Sequence, residues 1–334
     1  MLKIYSKQRV TETVSSMIRT GRMAHSFLLT GESGTGRMFC AKYIAMSLLC
    51  EDVREGVPCG ECRQCRRVLK NIHPDVIIPE GTGKTGIYNV ETVRERIVAD
   101  SSVAPNDCTS KVYVIRDCEK LPPASQNILL KAVEEPLPYV YYIFTAHSRS
   151  VFLPTLLSRV VTLPVGRCTP EESAEALKEM GSYSDKSIAD AVDAFGGNIG
   201  SCMDFLEKGK KYSLCAAVRS ITDAMLRGDG YTVLRVFSGA SEETSGMTRD
   251  DLKTLADLTD KVIRDALVLR ICGSDAGTEG CYRDGSERLS HTLSVKSAGR
   301  MHKALLEAED MCMGSANINV NAIACLLTAE LRTG

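Results

Sequence analysis

The sequence predicts an α/β fold with a parallel sheet in its first half, followed by a mostly helical second half. Up to about residue 165, short runs rich in β-branched and aromatic residues alternate with helical patterns, which is typical of βαβ units. Beyond about residue 166 the strand signal fades and apolar residues recur at helical spacing. The predicted strands cover residues 26–30, 76–78, 112–115, 141–144 and 160–163.

Helices are predicted on both sides of the third strand and throughout the second half. Val90, Val93 and Ile97 repeat at helical spacing, and a second helix over 124–135 ends at Pro136. Two apolar stripes indicate the core of a helical bundle and no chemistry. They are formed by Leu255, Leu258, Val262, Ala266 and Leu269, and by Val320, Ile323, Leu327 and Leu331.

Length and charge exclude several classes of protein. The 334 residues suffice for two or three domains, and a hydrophobic content of 44% allows each a core. The 41 basic and 42 acidic residues leave a net charge of -1, so any nucleic-acid role must be local or shared with partners. Neither a secretory signal nor a membrane-spanning run is recognised, so we expect a cytoplasmic protein without membrane contact.

A glycine-rich loop, GESGTGRM at 31–38, follows the first strand and precedes a helix, which is the context of a phosphate-binding loop. Its candidate nucleotide-binding residues are Gly31, Gly34, Gly36, Arg37 and Met38. Arg37 takes the place of the phosphate-binding Lys and Met38 that of the Mg²⁺-ligating hydroxyl, so catalysis is doubtful while weak nucleotide binding is not. A plain strand-to-helix turn remains the alternative, and a similar GTGKT at 81–85 is interpreted as a surface turn.

The third strand is followed by Arg116 and Asp117, where an active ATPase would carry two acidic residues. Arg116 replaces the first acid, and Asp117 is either a residual metal ligand or a solvated turn residue. The changes after the first and third strands thus affect the same Mg²⁺ site.

Four of the fourteen cysteines have the spacing of a metal site, and they are Cys50, Cys59, Cys62 and Cys65. Four thiolates suit one tetrahedral Zn²⁺ and leave no open coordination position, so we expect a structural zinc module at about 50–65. Unrelated thiols are the alternative. Nearby Arg66 and Arg67 raise a further hypothesis, an independent DNA-binding zinc element, although a charge run is usually a solvated face.

Five segments together resemble the bacterial clamp-loader subunits of the AAA+ superfamily. They are HSFLLTG at 25–31, the four-cysteine module, NILLK at 127–131 running into EEP at 134–136, LPTLLSR at 153–159, and NVN at 319–321. The resemblance implies an AAA+ base over 1–165 that contains the zinc module, a small helical lid over 166–208 and an all-α collar over 209–334.

By the same resemblance, Ser158 and Arg159 match a Ser-Arg-Cys motif whose arginine acts in trans on the ATP of a neighbouring subunit. The implied partners are gamma/tau and delta subunits, the sliding clamp and, through the assembly, primed DNA at the replisome. Val160 replaces the Cys of the motif. From the sequence alone, Arg159 would be read as a solvated surface residue.

Within this family the sequence is more similar to the delta prime kind than to the gamma/tau motor kind. Arg37, Met38, Arg116 and Gly200 stand where a motor subunit is expected to carry its phosphate-loop Lys, hydroxyl, acid and lid Arg. We therefore expect a structural zinc ion and no ATP hydrolysis at the chain's own site. The chain would belong to an enzyme only as a subunit of a DNA polymerase. A gamma/tau-type subunit with a divergent, weakly active site is the alternative.

Overall fold

A computed structural model of the chain describes residues 5, 7–83, 86–208, 212–273, 282–313 and 319–331. The chain divides into two compact units, Met1–Cys168 and Thr169–Gly334. Lys84 and Thr85 of the GTGKT segment lie outside the described residues.

The first unit contains a five-stranded parallel sheet in the order β2-β3-β4-β1-β5. The described strands are β1 (Ser26–Thr30), β2 (Val76–Ile77), β3 (Lys111–Ile115), β4 (Val140–Ala146) and β5 (Val161–Pro164). The five predicted strands are confirmed within two residues at each end. Their apolar runs are visible in the sequence because strands covered on both faces lack a polar side.

Helices cover both faces of this sheet. They are α1 (Gln8–Arg19), α2 (Arg37–Leu49), α3 (Arg63–Leu69), α4 (Val90–Val93), which continues as a π-helix over Arg94–Ala99, α5 (Pro123–Glu134) and α6 (Pro154–Leu157). Phe27 and Leu29 of β1 pack with α1, α2 and α3, whereas Leu28 packs with α4, α5 and α6. Successive β1 residues thus face opposite layers, as the pleat requires.

The second unit consists of helices joined by loops, with no strand among its described residues. Its helices are α7 (Pro170–Met180), α8 (Asp185–Phe195), α9 (Ile199–Lys208), α10 (Tyr212–Arg227), α11 (Gly230–Phe237), α12 (Arg249–Cys272), α13 (Arg283–Thr292), α14 (Val295–Met313) and α15 (Val320–Glu330). A capping box between Thr169 and Glu172 begins α7. The apolar stripe that runs from Leu255 to Leu269 is buried along α12.

One continuous core joins these helices, from Leu177 in α7 to Leu331 after α15. The division into a lid at 166–208 and a collar at 209–334 therefore stays a prediction. Among the described helices, none has both the length and the apolar content needed to cross a membrane.

Candidate functional site

The parallel sheet brings the phosphate loop and Asp117 to the same edge. Because β4 lies between β1 and β3, the segments that follow β1 and β3 both border the end of β4. The N–H of Gly31 donates to the carbonyl oxygen of Ala146 at 3.1 Å, and the N–H of Asp117 donates to Thr145 Oγ1 at 3.1 Å. The end of β4 thus fixes both halves of the predicted Mg²⁺ site.

Glycine is required at two positions of the loop. A Cβ on Gly31 would lie 2.2 Å from the carbonyl oxygen of Val165, and Gly36 has a φ of 93° immediately before α2 begins. A side chain would clash at the first position and be strained at the second. The loop therefore presents backbone N–H groups at the positive end of α2, an arrangement that favours an anion.

The side chain of Arg37 is turned into the protein. It is 8% exposed, and its Nη2 lies 3.5 Å from Oδ1 of Asp117, whose own side chain is 49% exposed. Its buried Nη1 has no hydrogen-bond partner among the described residues. The cation that the sequence predicts to contact a phosphate therefore lies beside the one remaining acid of the predicted Mg²⁺ site.

Two further basic residues pack at the loop, and sequence reasoning missed both. Lys7 is 6% exposed and its Nζ donates to the carbonyl oxygen of Gly166 and contacts Cys168 Sγ at 3.6 Å. Arg167 donates from Nε and Nη2 to Oε2 of Glu32 in the loop, at 3.0 and 2.6 Å. A Cβ on Gly36 would lie 3.7 Å from Lys7 Cε, so residues near both ends of the first unit contact or border the loop.

The four predicted cysteine ligands come together. Their sulfur atoms all lie within 4.8 Å of one another, with Cys50 Sγ 3.5 Å from Cys59 Sγ and 3.9 Å from Cys62 Sγ. Zn–S bonds of about 2.3 Å in a tetrahedron place sulfurs about 3.8 Å apart. The cluster could therefore hold one metal ion, and its size fits zinc.

Backbone N–H groups surround these sulfurs. Cys59 Sγ accepts from the N–H of Glu61 at 3.4 Å and of Cys62 at 3.2 Å, and Cys62 Sγ accepts from the N–H of Cys65 as α3 begins. The bond from Glu61 is the main reason that the pKa of Cys59 falls to about 7. Burial raises the pKa of Cys65, so that thiol would need the metal to lose its proton at neutral pH.

A buried polar network joins the cysteine module to the rest of the first unit. His73 Nε2 lies 2.9 Å from Gln64 Oε1 in α3, and Asp75 accepts backbone N–H groups of Asn106, Asp107 and Cys108. Burial alone would raise the pKa of Asp75, but these hydrogen bonds outweigh it and leave the pKa below its ordinary value. The charged carboxylate is thus a fixed support beside the module.

The basic flank of the module is partly neutralised. Arg63 and Arg67 both pair with Asp107, and Arg66 Nε donates to the carbonyl oxygen of Glu61. The contacts with Asp107 offset part of the positive charge of Arg63 and Arg67, whereas a hydrogen bond to a neutral carbonyl leaves the charge of Arg66 unchanged. They give no support to the hypothesis of an independent DNA-binding zinc element.

Arg159 lies after α6 with its side chain 38% exposed. Its Nη1 donates to the carbonyl oxygen of Thr155 at 2.6 Å and to Ser158 Oγ at 3.0 Å, and its Nη2 pairs with Glu134 at the end of α5. Ser158 Oγ in turn donates to the Thr155 carbonyl at 3.0 Å. The two predicted residues therefore form one hydrogen-bonded group at the surface.

Comparison with known proteins identifies the first half of the chain. Residues 6–168 match the family model described as "DNA polymerase III, delta subunit". DNA polymerase III subunit delta' of Pseudomonas aeruginosa is 31% identical over 169 residues, which cover 47% of this chain and 51% of that protein. Residues 6–168 therefore belong to the DNA polymerase III clamp-loader family.

The matches include a second kind of clamp-loader subunit. DNA polymerase III subunit gamma/tau of Mycobacterium bovis is 26% identical over 325 residues, covering 91% of this chain and 55% of that protein. The chain spans about half the length of the curated relatives it matches. A solved gamma subunit-related protein of Thermotoga maritima has a TM-score of 0.45 and 17% identity, covering 97% of this chain and 98% of its own.

Within residues 6–168 the predicted site residues form three separate groups. The phosphate loop meets Asp117, the four cysteines meet one another, and Ser158 meets Arg159. Besides Lys7 and Arg167, sequence reasoning missed the contacts of Thr145 and Glu134. Thr145 could have been found as a polar residue at the end of a buried strand, whereas the sequence carries no local signal for the contacts of Lys7 or Glu134.

Proposed function

We propose that the chain is a non-hydrolysing subunit of the delta prime type in the DNA polymerase III clamp loader. It would help to place the sliding clamp on primed DNA during replication, as part of a cytoplasmic, nucleoid-associated replisome. The observation that carries the proposal is the ion pair between Arg37 and Asp117 across the phosphate loop.

This ion pair supports the loss of the metal site that hydrolysis needs. A phosphate loop needs a hydroxyl and an acid as oxygen ligands of Mg²⁺, but Met38 offers a thioether and the carboxylate of Asp117 faces a guanidinium. Arg116 replaces the first acid of the pair that an active ATPase would carry. The chain would therefore have no ATPase activity of its own and would be an enzyme component only through its complex.

Arg159 would act on the ATP of a neighbouring gamma/tau subunit. An arginine supplied from another chain stabilises the charge that develops on the transferred phosphoryl group. Its position after α6, with more than a third of the side chain exposed, supports a role outside the chain's own site. Ser158 would orient it through the hydrogen bond to Nη1.

The cysteine module would bind one structural Zn²⁺. Four thiolates complete its coordination, so the ion would hold residues 50–65 together and would take no part in a reaction. The helical second unit would supply the lid and the collar through which the chain joins gamma/tau and delta subunits around an AAA+ ring.

Substitution of Arg159 tests the proposal. In a loader reconstituted with gamma/tau and delta subunits, Arg159→Ala should lower DNA-stimulated ATP turnover at the neighbouring site by about 10³-fold or more. Arg96→Ala, at an exposed arginine of the π-helix, is the matched control. Clamp loading and single-site turnover that are unchanged by Arg159→Ala would remove the trans role.

A second candidate function is a gamma/tau-type motor subunit that uses Arg37 in place of Lys. The match to a gamma/tau protein over 91% of this chain favours it. Steady ATP turnover by the purified chain, abolished by Arg37→Ala, would establish this function and exclude the non-hydrolysing one.

A further inference from the structure

We propose that Glu134 is a positioning residue that restrains Arg159 until the nucleotide of a neighbouring subunit displaces it. The inference rests on the proposed role of Arg159 in trans and concerns how that role is controlled. The ion pair joins Glu134, the last residue of α5, to Arg159. The side chain of Glu134 is 41% exposed and that of Arg159 is 38% exposed.

The hydrogen bonds of the guanidinium divide its donors into two sets. Both hydrogens of Nη1 are taken by Thr155 and Ser158, which belong to the same turn of chain as Arg159. These local bonds already orient the plane of the guanidinium. Nη2 is the part held by Glu134, so a phosphate approaching that edge has to compete with the carboxylate.

Glu134 is placed where its charge is unfavourable without Arg159. It is the last residue of α5, and the carbonyl groups at a helix C-terminus repel a carboxylate. The arginine offsets this repulsion, whereas the neighbouring Glu135 makes no ion pair within the described part of the chain. The two adjacent acids therefore differ in their contact with Arg159, which makes Glu135 a matched control.

The strength of the pair suits a restraint that can be released. Partly exposed ion pairs contribute little to stability, because water screens them and two long side chains must be ordered. A triphosphate bound to a neighbour carries more negative charge than one carboxylate and would take over Nη2. While Glu134 is paired with Arg159, its negative charge also offsets the positive charge that Arg159 would bring to the phosphate.

The test is Glu134→Gln in the reconstituted loader, with Glu135→Gln as control. We expect Glu134→Gln to raise kcat/KM for ATP about two- to fivefold, the range that corresponds to an exposed ion pair. Glu135→Gln should leave it unchanged. A decrease, or an equal increase in both variants, would overturn the restraint.

A double variant separates this inference from the function on which it rests. In an Arg159→Ala background, Glu134→Gln should have no effect on kcat/KM, since the residue acts only through the arginine. An increase that persists there would overturn the proposal. If Arg159→Ala alone leaves ATP turnover unchanged, the proposed role in trans is wrong. If Arg159→Ala lowers turnover but Glu134→Gln in the otherwise unaltered chain leaves kcat/KM unchanged, only the proposed restraint is wrong.

Discussion

At the scale of single residues, the buried guanidinium of Arg37 lacks one hydrogen-bond acceptor among the described residues. A buried guanidinium N–H without a partner costs about 1–3 kcal/mol or more, because the group has lost its water. Nη1 of Arg37 is such a group within the described residues, at the positive end of α2. An anion in the loop would supply the missing acceptor and would gain from the glycine-rich backbone.

We predict that pyrophosphate stabilises the protein equally with and without Mg²⁺. Saturation at about 100 times Kd should stabilise the fold by about 2.7 kcal/mol, measured as a rise in Tm by calorimetry. Arg37→Met should abolish the rise, while Arg19→Met, at an exposed arginine of α1, should keep it. A rise that requires Mg²⁺ would instead indicate a working nucleotide site.

At the scale of elements, the cysteine module depends on its ligands more than on its core. Its one helix, α3, has seven residues, and an isolated helix of that length is unstable in water. Gln64 of α3 contacts His73, His73 accepts the N–H of Asp75, and the Asp75 carbonyl accepts the N–H of Val112 in β3, so this network joins α3 to the sheet. The segment from Cys50 to Cys62, by contrast, contains no helix or strand. Metal binding should therefore supply much of its order.

We predict about one Zn per chain in protein purified under reducing conditions, by elemental analysis. Cys62→Ser should abolish stoichiometric binding because three thiolates leave an open position. Cys272→Ser, at an exposed cysteine of α12, should retain the metal. Retention of zinc by Cys62→Ser, or its absence from the unaltered chain, would contradict the assignment.

The sequence predicts elements better than it predicts contacts between them. The five strands and α5 are visible because a buried parallel strand is a continuous apolar run and Pro136 marks the end of a helix. The four cysteines are visible because they are close along the chain. The pairing of Arg159 with Glu134, 25 residues apart, and of Lys7 with Gly166, 159 residues apart, depends on tertiary packing.

At the scale of the whole molecule, each unit has its own buried core. The sheet of the first unit is covered by two clusters, and a single cluster runs through the helices of the second. Phe205 of α9 is fully buried in the cluster of the second unit. Its ring packs edge to face against that of Phe195 in α8, with the two ring centroids 5.6 Å apart. Both belong to the predicted lid, yet they share the core of the predicted collar.

We predict that Phe205→Ala lowers the free energy of unfolding of the second unit by about 3–5 kcal/mol, because a large cavity replaces the ring. Urea unfolding followed by far-UV circular dichroism measures the change. Leu306→Ala, at a leucine that is 44% exposed, should cost much less. Equal losses in the two variants would contradict the description of a shared, close-packed core.

The hydrogen bond from Lys7 to Gly166 also has a practical consequence for protein engineering. It holds Lys7, near the start of the first unit, beside Gly166, which lies two residues before the unit ends at Cys168. A short peptide would therefore suffice to join these two points, and new termini could be opened elsewhere on the surface. The first unit is thus suited to circular permutation and to insertion as an intact domain into a loop of another protein.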